Sequence, residues 1–277
     1  MDFFTYRFDR KEFLEKAEKL ANQYQNASPF PHIIIDNFFP DEILEQVLEE
    51  FPSATQINWY RYNSPNERKL ACSKEEEFGN KTLHFIHLLN SSIFLEFLEK
   101  LTGIKNLIPD QSLEGGGLHQ IMPGGLLKIH ADFNVHPRTK LNRRLNVLIY
   151  LNKDWKEEYG GHFELWDKQM KKCEVKVLPV FNRMAIFSTT STSYHGHPNP
   201  LTCPEGMSRK SIAMYYYTNG RPQHEIQEGL EAHTTLFKAR DKNEKIAINW
   251  RIELIAFAKQ ITPPILYRKL ANLVKKN

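Results

Sequence analysis

Asn142-Arg143-Arg144-Leu145-Asn146-Val147-Leu148-Ile149-Tyr150-Leu151-Asn152 alternates along most of its length. In an extended strand successive side chains point to opposite faces. One face of this strand is Leu145, Val147, Ile149 and Leu151, a packing face. The other holds Arg144, Asn146, Leu148 and Tyr150, so a barrel that turns it inward gains hydrogen-bonding groups in its cavity. Upstream, Leu118 to Met122 reads as a strand, Pro123-Gly124-Gly125 as its turn, and Leu126 to Asp132 as the next strand. Downstream, Asn152-Lys153-Asp154 turns, and His162 to Trp166 alternates again after Gly160-Gly161. Val175 to Pro179 and Arg183 to Ser188 are predicted to pair as a hairpin across Phe181-Asn182, and Ser208 to Tyr217 is the last strong strand. This number and spacing of strands suits a double-sheet jelly roll.

The flanks read differently. Residues 10–26 carry Phe13, Leu14, Ala17, Leu20 and Ala21 at helical spacing, and Ser28-Pro29-Phe30-Pro31 breaks the pattern. His32 to Phe39 is a buried strand, and Pro40-Asp41-Glu42 opens a helix through about Phe51. Residues 52–72 are polar and aromatic, and the expectation is a long irregular loop; 76–101 return to helical periodicity. The tail has two helical segments, near 243–260 and 264–275, separated at Pro263-Pro264. The fold class is therefore α+β, a jelly roll (a double-stranded β-helix) with N-terminal and C-terminal helices. Its parts are an N-terminal helical support with one or more strands added to the core (1–104), the jelly roll (105–220) and a C-terminal helical extension (221–277), expected to form one compact domain.

The formal net charge of +4 is too small to argue for nucleic acid. From Lys238 onward there are ten Lys/Arg and three Asp/Glu, which reads as a solvated basic helical face. Cys72, Cys173 and Cys203 have no metal-ligand or redox spacing, so reduced thiols are expected. The first residues lack the basic start and apolar run of a signal peptide, and no apolar stretch approaches the ~18–20 residues that span a bilayer. These features lead to an expectation of a soluble cytoplasmic protein. Nothing in the sequence reports the oligomeric state.

His130 and Asp132, at i and i+2 of one strand, can aim an imidazole and a carboxylate at one point. A histidine from a distant strand would complete two His and one carboxylate on one face of a metal. That set leaves the opposite face open and suits non-haem Fe(II), which must bind a co-substrate and O2. His195 and His197 both stand in the segment Ser193-Tyr194-His195-Gly196-His197-Pro198. Arg209 opens the last strand, with Ser211, Ala213, Tyr215 and Tyr217 at period two.

The chain resembles the prolyl-4-hydroxylase-like branch, of bacterial type, of the Fe(II)/2-oxoglutarate-dependent oxygenases. Six features carry the resemblance, in order: Pro123-Gly124-Gly125 before His130-Ala131-Asp132; Leu148 to Trp155; Gly160-Gly161; Asn182-Arg183 before Phe187; His195-Gly196; and Arg209-Lys210-Ser211. The resemblance implies that His130, Asp132 and His195 are the iron ligands, the glycine after His195 favouring it over His197. It implies that Arg209 binds the far carboxylate of 2-oxoglutarate, a role suited to a bidentate guanidinium, with support from Tyr150 and Ser211. Asn146, Arg144, Tyr215 and Met122 are the candidates for the substrate side. The activity implied is hydroxylation of an unactivated C–H bond with O2 and 2-oxoglutarate, giving succinate and CO2, with ascorbate suggested as the reductant that maintains Fe(II). A prolyl residue in a protein or peptide is the first substrate expectation; a free amino acid, glycan or natural-product intermediate is the alternative. Asp132 argues against a halogenase, which needs that ligand position free. A non-catalytic jelly-roll binding module is the competing reading from another class, and no His-Glu-x-x-His motif supports a zinc hydrolase.

Overall fold

A computed structural model of the chain describes residues 3–222, 225 and 232–247. Contacts divide the chain into a unit that ends at Glu244 and a second from Lys245 on. Every helix and strand named below belongs to the first unit. The tail helices expected near 243–260 and 264–275 lie outside the described residues apart from 243–247. No helix among the described residues is long and apolar enough to cross a membrane.

The chain opens with helix α1 (Arg10–Gln25), strand β1 (His32–Asp36) and helix α2 (Asp41–Glu49). Asp9 caps α1 by accepting from the Glu12 backbone N–H at 2.8 Å, which satisfies one of the otherwise orphaned donors of the first turn. Strands β2 (Tyr60–Asn63) and β3 (Glu67–Cys72) follow, then helices α3 (Asn80–Leu89) and α4 (Ser92–Thr102). The expected loop at 52–72 is thus half hairpin: β2 pairs with β3, and β3 pairs with strands of the jelly roll. Its mixed polar and aromatic residues hide the strand signal because β2 is largely exposed and supplies no apolar alternation.

The jelly roll contains β4 (Ile108–Pro109), β5 (Gly117–Ile121), β6 (Leu126–Ala131), β7 (Asn142–Tyr150), β8 (Phe163–Trp166), β9 (Cys173–Val177), β10 (Arg183–Ser188), β11 (His195–His197) and β12 (Arg209–Thr218). A short strand β13 (Leu236–Phe237) adds to β6. All pairings are antiparallel, in the order β1-β10-β7-β12-β5-β3-β6-β11-β8-β9. The sheet curls so that β10-β7-β12-β5 forms one wall and β6-β11-β8-β9 the other, with β3 joining them. This is the expected α+β double-stranded β-helix. The expected hairpin between 175–179 and 183–188 does not form. β9 pairs with β8, whereas β10 pairs with β1 and β7 in the other wall. The two segments adjoin in sequence, but the turn between them crosses from one sheet to the other.

Leu145, Val147, Ile149 and Leu151 pack outward, against a helical layer that includes Phe13, Leu44, Phe85, Phe94 and Leu101. Burying a Leu, Ile or Phe side chain contributes roughly 1.5–3 kcal/mol, so this layer anchors the back wall. Asn182 ties the layer to the barrel. Its Nδ2 donates to Phe39 O at 2.7 Å and to Asp41 Oδ1 at 2.5 Å. Between the walls, Tyr150, Phe163, Leu165 and Phe187 form a second cluster beneath the site.

Candidate active site

Two histidines face each other across paired strands. His195 of β11 is the register partner of His130 of β6, and their ring centroids lie 4.5 Å apart. His130 Nδ1 is 2.8 Å from Lys128 O, and His195 Nδ1 is 2.9 Å from Ser193 O. A carbonyl only accepts, so each Nδ1 carries the proton and each Nε2 keeps its lone pair. Asp132, one residue beyond β6, sets Oδ1 3.5 Å from His130 Nε2 and Oδ2 3.3 Å from His195 Nε2. Among the described residues these three are the group of His, Cys, Asp or Glu whose donor atoms converge, all within 4.8 Å. Burial and the neighbouring imidazole hold His130 below its ordinary pKa, so the ring stays neutral.

Asp132 is held from behind. Asn146 Nδ2 donates to its Oδ2 at 2.7 Å, and Arg143 Nη2 lies 3.1 Å from the same oxygen. Arg143 Nε in turn donates to Asn146 Oδ1 at 2.9 Å. Burial pushes the Asp132 carboxyl up, but the Arg143 charge prevails and holds it well below the usual range. Arg143 is fully buried, its guanidinium stacked over Tyr215 at 3.5 Å and near Phe133 at 4.5 Å. Sequence reading missed this residue, because alternation puts it on the face of Leu145. A register shift in the β7–β12 pairing, where Tyr216 opposes Leu145 and Tyr217 opposes Arg143, makes Arg144 the extra residue of a bulge and brings Arg143 inward.

Across the cavity, Arg209 is buried, with Nε donating to Gly161 O at 2.8 Å and Nη2 3.4 Å from the Tyr150 hydroxyl. Both partners are neutral, so among the described residues no carboxylate offsets the guanidinium, and burial depresses its pKa. Gly161 has φ +71°, and a Cβ there would meet Leu201 Cδ2 at 2.6 Å and Arg209 Cδ at 3.0 Å. Only glycine lets the arginine lie flat against this turn. Ser211 is the register neighbour of Tyr150 and lines the same cavity.

Of the other sequence candidates, Asn146 and Tyr215 line the cavity. Arg144 and Met122 do not, which corrects their placement on the substrate side. Arg144 leaves the barrel at the bulge; its Nη1 donates to Thr218 Oγ1 at 3.1 Å and its Nη2 to both Glu225 oxygens at 2.8 and 2.6 Å. Met122 packs against the main core. Lys69 and His119 also line the cavity, although no sequence motif points to them, and so does His197, the histidine weighed against His195. Beyond the jelly roll, Leu236 and Phe237 pair with Ala131 and His130, which puts the Phe237 ring 5.5 Å from that of His130.

A family model described as the 2OG-Fe(II) oxygenase superfamily matches residues 116–217, the span that holds every cavity-lining residue named above except Lys69. This match places residues 116–217 in the Fe(II)/2-oxoglutarate oxygenase superfamily. Among solved structures, the oxygenase is similar to a prolyl-4-hydroxylase from Pseudomonas putida: 14% identity, TM-score 0.55, 74% of this chain and 100% of that one covered. It is also similar to a prolyl hydroxylase from Trichoplax adhaerens in complex with a hypoxia inducible factor oxygen degradation domain peptide fragment. There the identity is 20% and the TM-score 0.52, with 77% and 94% of the two chains covered. A third likeness is to HygX from Streptomyces hygroscopicus with nickel, 2-oxoglutarate and hygromycin B bound, at 12% identity and TM-score 0.50, with 80% and 96% covered. At these identities the likenesses establish the fold. No curated protein sequence matches the oxygenase. The enzyme is a dioxygenase that uses Fe(II) and 2-oxoglutarate. Two Nε2 lone pairs and one carboxylate on a single side fit Fe(II), and a buried guanidinium without a counter-anion fits a dicarboxylate co-substrate.

Proposed function

We propose that His130, Asp132 and His195 hold the Fe(II), and that Arg209, with Tyr150 and Ser211, takes the far carboxylate of 2-oxoglutarate. The observation that carries this reading is the pair of imidazoles locked by backbone carbonyls with both Nε2 atoms turned toward one carboxylate. When bound, Fe(II) and 2-oxoglutarate supply the oxidation of a C–H bond by O2 to a hydroxyl, with succinate and CO2 as co-products. Asn146 and Arg143 fix the direction of the Asp132 carboxylate, as hydrogen-bonded supports of a ligand do. Phe187 and Phe163 pack on His195, with ring centroids at 4.6 and 5.9 Å, and keep water from that side.

The substrate we infer is a prolyl residue in a protein or peptide. A surface groove of about 370 Å³ runs between the β2–β3 hairpin and Glu114–Gly116. It adjoins the metal cavity through Tyr215, whose hydroxyl donates to Gly115 O at 2.9 Å. An open groove beside the site accommodates an extended chain. The likeness to a prolyl hydroxylase in complex with a peptide fragment supports the same reading. The same chemistry on a free amino acid, glycan or natural product is the second reading, favoured by Phe237 beside His130 and by the likeness to a structure holding hygromycin B.

Anaerobic titration with Fe(II) and then 2-oxoglutarate tests the site. The expected result is a visible charge-transfer band in the parent. It should be absent in His195→Ala and require far more 2-oxoglutarate in Arg209→Ala. No band in a folded, metal-loaded parent would sink the assignment. Succinate release with proline-containing peptides against free L-proline then separates the substrate readings.

A further inference from the structure

His197 is two residues beyond His195 on β11 and lines the cavity that holds Arg209, Ser211 and the three converging ligands. It is 3% exposed, and among the described residues neither of its ring nitrogens has a hydrogen-bond partner. The other histidines of the cavity are each tied to a carbonyl: His130 to Lys128, His195 to Ser193 and His119 to Gly115. An imidazole carries at least one N–H in every protonation state, so His197 always holds a buried donor in want of an acceptor. Among the described residues that line the cavity, the only carboxylate is Asp132, which Asn146 and Arg143 already engage. A histidine that served only to fill space would be replaceable by a ring without polar atoms, and burying unpaired nitrogens is costly.

Arg209 is in the same position electrostatically, with neutral partners and no offsetting anion among the described residues. A carboxylate has about four lone-pair sites. A guanidinium takes two of them and leaves others free for a second donor. We infer that His197 is a second hydrogen-bond donor, beside Arg209, to the far carboxylate of 2-oxoglutarate, and that it sets the preference for a dicarboxylate keto acid. This rests on the proposed placement of the co-substrate.

The test is calorimetric titration of the Mn(II)-loaded full chain, without O2, with 2-oxoglutarate and with 2-oxopentanoate, which lacks the far carboxylate. His197→Phe and His197→Leu remove the donor, and His197→Gln keeps one. The parent should bind 2-oxoglutarate far more tightly than the monoacid. Either donor-free variant should weaken 2-oxoglutarate by about 10- to 100-fold, the range of a hydrogen bond to a charged group. 2-Oxopentanoate should move by less than about 3-fold, the ratio expected if its chelating end is undisturbed, and His197→Gln should recover most of the loss. Equal weakening of both acids, or no weakening, overturns the inference and leaves His197 as packing. A parent that does not distinguish the two acids overturns the far-carboxylate reading itself, and the His197 inference falls with it.

Discussion

Arg143 reaches Asp132 at 3.1 Å from a strand position that simple alternation turns toward the helical layer. Arg143 is buried and Asp132 nearly so, and Asn146 bridges them. Removing one member of a buried pair leaves an uncompensated charge, at a cost of about 3–5 kcal/mol. Arg143→Met should therefore destabilise the metal-free protein by about that amount in denaturant unfolding. Mn(II) binding should weaken by roughly 10- to 100-fold, the usual loss when a partner behind a ligand is removed. Asn146→Leu should give the same direction with a smaller loss of stability, because Arg143 still neutralises Asp132. Unchanged metal affinity in both variants would show that the carboxylate needs no support.

Arg209 behaves oppositely, since it has no counter-anion among the described residues. A buried charge without a counter-anion costs stability, so an apolar side chain of similar volume in its place relieves that cost. Arg209→Met should leave stability unchanged or raised while 2-oxoglutarate binding falls by about 100-fold or more, as expected for a lost bidentate pair. A variant that unfolds more easily and still binds 2-oxoglutarate normally would contradict this placement of function over stability.

Gly161→Ala places a Cβ in a left-handed turn and against Arg209. Strain of about 1–2 kcal/mol is expected from the backbone alone. The displaced guanidinium should also weaken 2-oxoglutarate binding, with metal affinity retained. The equivalent change at Gly160, where nothing lies within 4 Å of an added Cβ, should affect stability only.

His119 gives the acid limb of stability. Burial first, then the charge of Lys69, lowers its pKa to about 3; Arg209 and Arg143 add to this, and the Gly115 carbonyl opposes it. The unfolded chain, with an ordinary histidine pKa near ~6.5, takes up the proton first. The stability contributed by neutral His119 is therefore whole above about pH 6.5 and declines as pH falls toward 3, by at most ~1.4 kcal/mol per pH unit. Chemical denaturation at pH 7, 6 and 5 should show a shallower decline in His119→Gln than in the parent. Parallel profiles would mean that the ring is already protonated or not desolvated.

Local periodicity carried a large part of the reading. The alternation of β7 identified both of its faces from Leu145 onward, and i, i+2 spacing put His130 beside Asp132 and Arg209 beside Ser211. These relations are legible because side-chain direction in a strand depends only on position along the chain. Exposed β2 escaped notice because alternation reports burial, and a strand with no buried face has none to report.

By itself, then, the sequence determined the jelly roll and the residue types of its site, since strand period and motif order are properties of a single chain segment. Tertiary structure decided which residues meet. The pairing of β11 with β6 put His195 opposite His130 and left His197 without a hydrogen-bond partner among the described residues. A one-residue bulge exchanged Arg143 for Arg144 at Asp132. β10 joined the wall opposite β9, and residues 236–237 closed onto β6. Register between strands far apart in sequence is set by cooperative burial across the whole sheet, and a single inserted residue reverses it.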